Sequence, residues 1–127
     1  MTEQEQKWVD QAKYDLETAR AMLDSSRYIY VLFCCQQAIE KALKYLILRK
    51  TGDLPPRIHN LIRLAETAKI ELNIEQALLC KELSAYYVQT RYPEEIQEIG
   101  SVVTHKIAAG YFMKTEEILK WLFSIQK

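Results

Sequence analysis

Three glycines and three prolines in 127 residues leave this chain little material for turns. Two of the prolines are adjacent, in 51-TGDLPP-56, so the breaks are fewer still. Glycine and proline are the strongest punctuators of regular structure. Their scarcity therefore demands a few long elements, and the apolar spacing selects helices. Trp8, Ala12, Leu16, Ala19 and Leu23 recur at three- and four-residue intervals, which predicts a helix over about residues 3–24. Thr2 and Glu5 form a capping box for it, two orphan amides being satisfied reciprocally.

Ser25 and Ser26 interrupt, and a second helix is expected from about Arg27 to Arg49. Its stripe is Leu32, Cys35, Ile39, Ala42, Leu43 and Leu46, while its first half is apolar nearly all round. Such a helix is central, covered on more than one side. Gly52 suits a C-terminal cap, and the two prolines bar continuation. A short third helix, about Asn60 to Lys69, turns Leu61, Leu64, Ala65 and Ala68 inward. Asn73 and Gln76 make a second capping box, opening a fourth helix through about Arg91 on Leu79, Leu83, Tyr86 and Tyr87. Pro93 ends it. The stretch 93-PEEIQEIG-100 then reads as an acidic loop, and Ser101 as the cap of a last helix reaching about Ser124. That helix would pack on Val103, Ile107, Tyr111, Ile118 and Leu122. Gly110 inside it costs about 1 kcal/mol relative to alanine, which implies close packing there.

The expected fold is all-α: an up-and-down antiparallel bundle of four long helices and a short one, forming a single domain over residues 1–127. Alternating directions carry a further expectation. The loop before His59 and the 91-RYP-93 stretch should meet at one end, gathering Arg49, Lys50, Arg57, His59, Arg91 and Tyr92.

Seventeen basic and seventeen acidic side chains cancel, so no global field draws the protein to nucleic acid. Any nucleotide or RNA must be held by a local patch. The longest apolar run, 28-YIYVLFCC-35, is too short to span a bilayer, and the polar start MTEQEQKW is unlike a signal peptide. A cytoplasmic protein with no membrane contact is the expectation. Cys34, Cys35 and Cys80 are an odd set, read as reduced thiols packed as small hydrophobes. Adjacent helical positions point about 100° apart, so Cys34 and Cys35 do not share a metal. No glycine-rich phosphate loop, nucleophile elbow or zinc cluster is present, and neither a cofactor nor a metal is expected.

Chemistry narrows to a few side chains. His59 has the imidazole needed for acid–base work near neutral pH, or it caps a helix or bonds a loop carbonyl. Arg91 and Tyr92 suit a nucleotide, a guanidinium fork pairing with phosphate and a phenol stacking on a base. Equally, Arg91 suits the negative end of a helix, and Tyr92 can pack against the second helix. Arg57 is a second cation beside His59. Glu40 and Lys44, one turn apart, form a helix ion pair worth a few tenths of a kcal/mol if exposed. Lys41 points elsewhere, toward solvent, and His105 reads as a surface or interface residue.

The pieces 36-QQAIEKALKYLIL-48, 55-PPRIHNL-61 and 86-YYVQTRYP-93, with 12-AKYDLETARAML-23 in the first helix, resemble the HEPN domain family over the whole chain. They look most like small prokaryotic HEPN proteins encoded beside a minimal nucleotidyltransferase. Gln37, Glu40, Lys41 and Lys44 match the family's second-helix pattern. The resemblance implies a helical bundle that dimerises and that serves in a toxin–antitoxin module or as companion to the nucleotidyltransferase. It also implies a semi-buried Glu40 able to hold His59 or Arg91. Glu40, Lys44, His59, Arg91 and Tyr92 become the nucleotide- or RNA-binding set. Many HEPN domains are metal-independent ribonucleases with an arginine, four to six intervening residues and then a histidine, late in the fold. Here Arg91 precedes His105 by fourteen positions, and Arg57 precedes His59 by two. That departure favours binding over cleavage. A ribonuclease toxin using His59 with Arg91 or Arg57 is the rival reading, and a purely structural dimerisation module is the third.

Overall fold

The computed structural model describes residues 1–125, and its regular structure there is six helices without a strand. Helix α1 spans Glu3–Asp24, with the Thr2/Glu5 capping box present in both directions. Ser26, at φ 63, turns the chain, and α2 follows over Tyr28–Thr51. Gly52 ends α2 in the left-handed region at φ 76, where any side chain would strain the backbone. Short α3 spans Leu61–Thr67 behind an Asn60 cap, and α4 spans Ile74–Gln89 behind the Asn73/Gln76 box. Helix α5 covers Pro93–Val102, and α6 covers His105–Ser124.

Side-chain pairs give the directions. Arg49 meets Glu5 and Lys41 meets Asp15, so α1 runs opposite to α2. Tyr28 meets His105 and Tyr45 meets Phe123, so α6 runs with α2. Phe33 stacks on Tyr87, while the Lys69 carbonyl, ahead of α4, accepts from Lys50 Nζ, so α4 runs opposite to α2. The four long helices alternate among themselves, but α4 does not run with α2 toward the Arg49 end, the direction expected when the short helix is counted in the alternation. Helix α2 touches every other helix, and Leu32, Cys35, Ile39, Ala42, Leu43 and Leu46 are all buried in it. An element apolar nearly all round has become the central post.

Six helices rather than five is one correction. The acidic stretch after Pro93 is helix α5, not loop. Proline is favoured at a first helical position, where its missing N–H is no loss, and Glu94 and Glu95 suit the positive end of the helix. Thr104, not Ser101, therefore caps α6, its hydroxyl accepting from the Ile107 amide. With that phase, Ala108, Phe112 and Thr115 point inward and Ile107 is exposed. Gly110 has open space where a Cβ would stand. The close approach is at Gly100, where a Cβ would lie 3.1 Å from Ile29 Cδ1.

A second correction concerns the ends of the bundle. Residues 52–60 do not stay beside the end of α2. They run back along it, so that His59 lies against Gln36 and Glu40. From Gly52 to that level is about 18–24 Å along the helix axis. Helix α3 then descends and α4 climbs again, placing Arg91 near the first half of α2. Arg49 and Lys50 stay at the far end with Glu5 and the Lys69 carbonyl. The six residues expected together are split. No helix among the described residues is long and apolar enough to cross a membrane.

Candidate functional site

Gln36, Glu40 and Lys44 stand one turn apart on α2, at the spacing that puts side chains on one helix face. Charged and amide groups on a central helix would be costly unless fully partnered. Here they are. Glu40 is 3% exposed, Lys44 7% and Gln36 not at all. Lys44 Nζ donates to Glu40 Oε2 at 3.0 Å and sits over the Trp8 ring, 5.7 Å from its centroid. Gln36 Nε2 donates both to Glu40 Oε1 at 3.0 Å and to the His59 carbonyl at 2.9 Å. Its Oε1 accepts from Gln37 Nε2 at 2.7 Å. No buried side-chain polar atom among the described residues lacks a partner.

His59 closes this network. Its Nδ1 lies 3.0 and 3.2 Å from the two Glu40 oxygens. A carboxylate facing Lys44 only accepts, so Nδ1 carries the proton and donates. The imidazole is thus anchored from one side by a buried carboxylate, while its side chain is 46% exposed on the other. Nε2 makes no hydrogen bond among the described residues. The main chain is pinned as firmly: the Leu61 amide donates to Ser84 Oγ at 3.0 Å, tying the start of α3 to α4.

Tyr87 links His59 to the arginine. The His59 and Tyr87 ring centroids are 5.1 Å apart, and the Arg91 guanidinium carbon is 5.4 Å from the Tyr87 centroid. The Tyr87 ring itself is stacked on Phe33, at 5.5 Å and 18° between planes. A buried aromatic therefore carries the imidazole and, one turn further along the chain, a guanidinium at a cation–π distance. Arg91 has no ion-pair partner among the described residues. Tyr92, the residue before α5, is 53% exposed.

Glu40, Lys44, His59 and Arg91 are thus brought into one continuous arrangement, with Tyr92 at its edge. Arg57 is exposed on the returning segment and makes no hydrogen bond or ion pair among the described residues. The Glu40–Lys44 pair is not the solvated pair that spacing alone suggests. Lys41 is not simply solvated either, since it is paired with Asp15 at 2.9 Å. His105 is exposed at the start of α6, edge-on to Tyr28. Two members of the arrangement went unnamed in the sequence reading: Gln36 and Ser84. Gln36 was recoverable, because 36, 40 and 44 share one face; Ser84 carries no local signal of its long-range bond.

The thiols contribute no chemistry here. Burial pushes Cys34 up to about 11, and Cys35 and Cys80 up to about 12, so none is a nucleophile at neutral pH. No cluster of metal-ligating side chains exists among the described residues. A cleft of about 320 Å³ between α4 and α6 lies away from His59 and is lined by Glu75, Leu78, Glu82, Lys114 and Glu117 among others. Its size does not make it the reactive site, because its carboxylates have no acid–base partner comparable to the Glu40–His59 pair. Beside it, Tyr111 donates to Glu82 Oε1 at 2.9 Å, and burial, then that bond, raises its phenol well above the ordinary value.

Comparison with known proteins agrees with this architecture. The sequence pattern of the HEPN domain matches residues 5–126. The fold is similar to the crystal structure of TT1696 from Thermus thermophilus, with a TM-score of 0.82 and 24% identity, over 97% of this chain and 98% of that one. It is also similar to ST0689, an archaeal HEPN homologue, with a TM-score of 0.74 and 25% identity, over 94% and 95% of the two chains. No curated protein is significantly similar to the chain. With the pattern matched over nearly its full length and the helical order preserved, this chain belongs to the HEPN domain family.

Proposed function

We propose that the chain is a HEPN-type binding partner that holds a nucleotide or an RNA end against His59 and Arg91. It would act as a homodimer, beside a minimal nucleotidyltransferase or within a toxin–antitoxin module. The observation that carries this reading is the two-sided His59 ring: Nδ1 fixed on buried Glu40, the ring packed beside Tyr87 and its remaining edge exposed. Such a ring offers Nε2 in a set direction, with little orientation left to lose when a ligand binds. Arg91, without an ion-pair partner among the described residues, adds a guanidinium fork for phosphate, and the exposed phenol of Tyr92 adds a stacking face. Glu94 and Glu95 follow immediately and repel a long polyanion, which favours a mononucleotide or a strand end over continuous RNA.

The same pair supports a second reading. A carboxylate-anchored imidazole is the usual form of a general base, and Nε2 could take the proton of a ribose 2′-hydroxyl while Arg91 faces the charged phosphate. The absent arginine–histidine spacing weighs against it.

One set of measurements separates the readings. Fluorescence anisotropy with 5′-labelled short RNA, competed by nucleoside phosphates, should show binding that Arg91→Ala and His59→Ala each weaken at least about tenfold, or 1.4 kcal/mol. The RNA should remain intact. Cleavage by wild type that His59→Gln abolishes replaces binding with the ribonuclease reading. Neither binding nor cleavage at millimolar nucleotide leaves a purely structural dimerisation module.

A further inference from the structure

Tyr45 and Tyr87 are buried to the same degree, each 8% exposed, and the hydroxyl of neither makes a hydrogen bond among the described residues. A buried tyrosine hydroxyl ordinarily finds a partner. No fully buried side-chain polar atom among the described residues lacks one, so both oxygens must reach the surface from rings that are otherwise enclosed. What lies beside the two rings differs. Tyr45 meets Phe123, with 6.0 Å between centroids, and carries neither an imidazole nor a guanidinium. Tyr87 is stacked on Phe33 of α2 and bears both, the His59 ring at 5.1 Å and the Arg91 guanidinium carbon at 5.4 Å. Packing between two helices therefore holds an unpartnered hydroxyl at the His59 site before any ligand arrives.

We propose that the Tyr87 hydroxyl contacts the ligand of this site, donating to a phosphate oxygen that Arg91 also binds. The idea rests on the nucleotide-binding reading and assigns its phosphate subsite. Donors and acceptors decide the assignment. With Nδ1 donating to Glu40, the His59 ring offers a lone pair at Nε2. A lone pair takes the hydrogen of a hydroxyl or an amino group and is repelled by an anionic oxygen. A phosphate needs donors instead. The other buried donors beside His59 are turned inward, Lys44 Nζ to Glu40 and Gln36 Nε2 to Glu40 and the His59 carbonyl. Arg91 supplies a charged fork, and Tyr87, one helical turn before it, supplies a neutral O–H. The ligand is thus read at two ends, a hydroxyl or amino hydrogen at His59 and a phosphate at Tyr87 and Arg91. A nucleoside monophosphate with free ribose hydroxyls carries both. The phenol adds little ordering cost on binding, because Phe33 already fixes its ring.

Tyr87→Phe isolates the hydroxyl, since it removes one oxygen and keeps the ring against Phe33, His59 and Arg91. NMR titration of the full chain with AMP and with adenosine tests the idea, and Tyr45→Phe serves as the control. Because Tyr87→Phe loses no internal hydrogen bond, its thermal midpoint should match that of wild type. Its dissociation constant for AMP should rise about tenfold, the loss expected for a hydrogen bond to a charged group, while any adenosine binding stays unchanged. Tyr45→Phe should bind AMP as wild type does. AMP binding that is the same in Tyr87→Phe and wild type overturns the proposal and leaves the nucleotide reading intact. Equal weakening of AMP and adenosine places the hydroxyl away from the phosphate and overturns the subsite. A lowered midpoint together with equal weakening in Tyr45→Phe marks both oxygens as structural. A wild type that binds neither probe at millimolar concentration overturns the subsite and the nucleotide reading together.

Discussion

The inner wall of α2 and the outer wall of α4 break the usual division of side chains in opposite directions. On α2, Gln36, Glu40 and Lys44 are polar and shut inside; on α4, Ile74, Leu78 and Val88 are apolar and left outside. The polar wall is closed within the chain. Each buried donor finds an acceptor, and the result fixes where residues 52–60 return and how His59 is aimed. The apolar wall is open, with nothing among the described residues covering it. Burying polar groups with their partners costs little net and specifies a shape. Exposing an ordered apolar stripe has no such internal compensation.

The largest expected effect breaks the closed wall. Glu40→Ala leaves Lys44 and Gln36 buried without their acceptor and should cost about 3–5 kcal/mol of unfolding free energy in a urea titration. Asp24→Ala removes a pair of the same i,i+4 spacing, Arg20–Asp24 at 4.0 Å, whose side chains are 61% and 71% exposed. It should cost less than about 0.5 kcal/mol. Equal costs for the two would mean that the Glu40 pair is as solvated as the other, and the contrast would collapse.

The open wall is probed by adjacent leucines. Leu79 is 4% exposed and Leu78 53%. Leu79→Ala should lose about 2–4 kcal/mol through the cavity it leaves. Leu78→Ala, measured at dilutions where the chain is monomeric, should stay within about 0.5 kcal/mol of wild type. A large loss for Leu78→Ala in the monomer would show that the outer stripe already has a partner inside the chain.

The smallest and most local effect lies at the other end of α2. The Glu5 carboxylate is held below its ordinary value, first by the Thr2 backbone N–H and then by Arg49. In the unfolded chain it protonates at the ordinary value, so as pH falls the unfolded state takes up the proton first. The stabilisation is therefore full above the ordinary carboxylate range and fades as pH drops through the lower folded value. Thermal midpoints of wild type and Glu5→Gln should differ at neutral pH and converge in acid. Parallel curves at every pH would show that the carboxylate charge contributes nothing.

Much of the architecture was legible in the residues. Thr2/Glu5 and Asn73/Gln76 mark two helix starts, and Gly52 with Pro55 and Pro56 marks the main break, because each acts within one helical turn. The all-apolar first half of α2 told of a central helix for the same local reason. Pro93 misled, since one residue can end a helix and begin the next, and α5 does begin there. The two faces of α4 also hid each other: apolar residues on opposite sides cancel in any periodicity reading, so only burial separates Leu79 from Leu78.

Near-neighbour interactions, all written in the residue order, set most of the helical segments and the shared face of Gln36, Glu40 and Lys44. Capping, breaking and a period of 3.6 are enough for those. Packing across the chain alone turned this face inward and made residues 52–60 climb back to bring His59 onto Glu40, leaving Arg49 and Lys50 behind. Contacts across nineteen residues, as between Glu40 and His59, or twenty-three, as between Leu61 and Ser84, have no local signature. They form where buried polar groups find the partners that let them leave water.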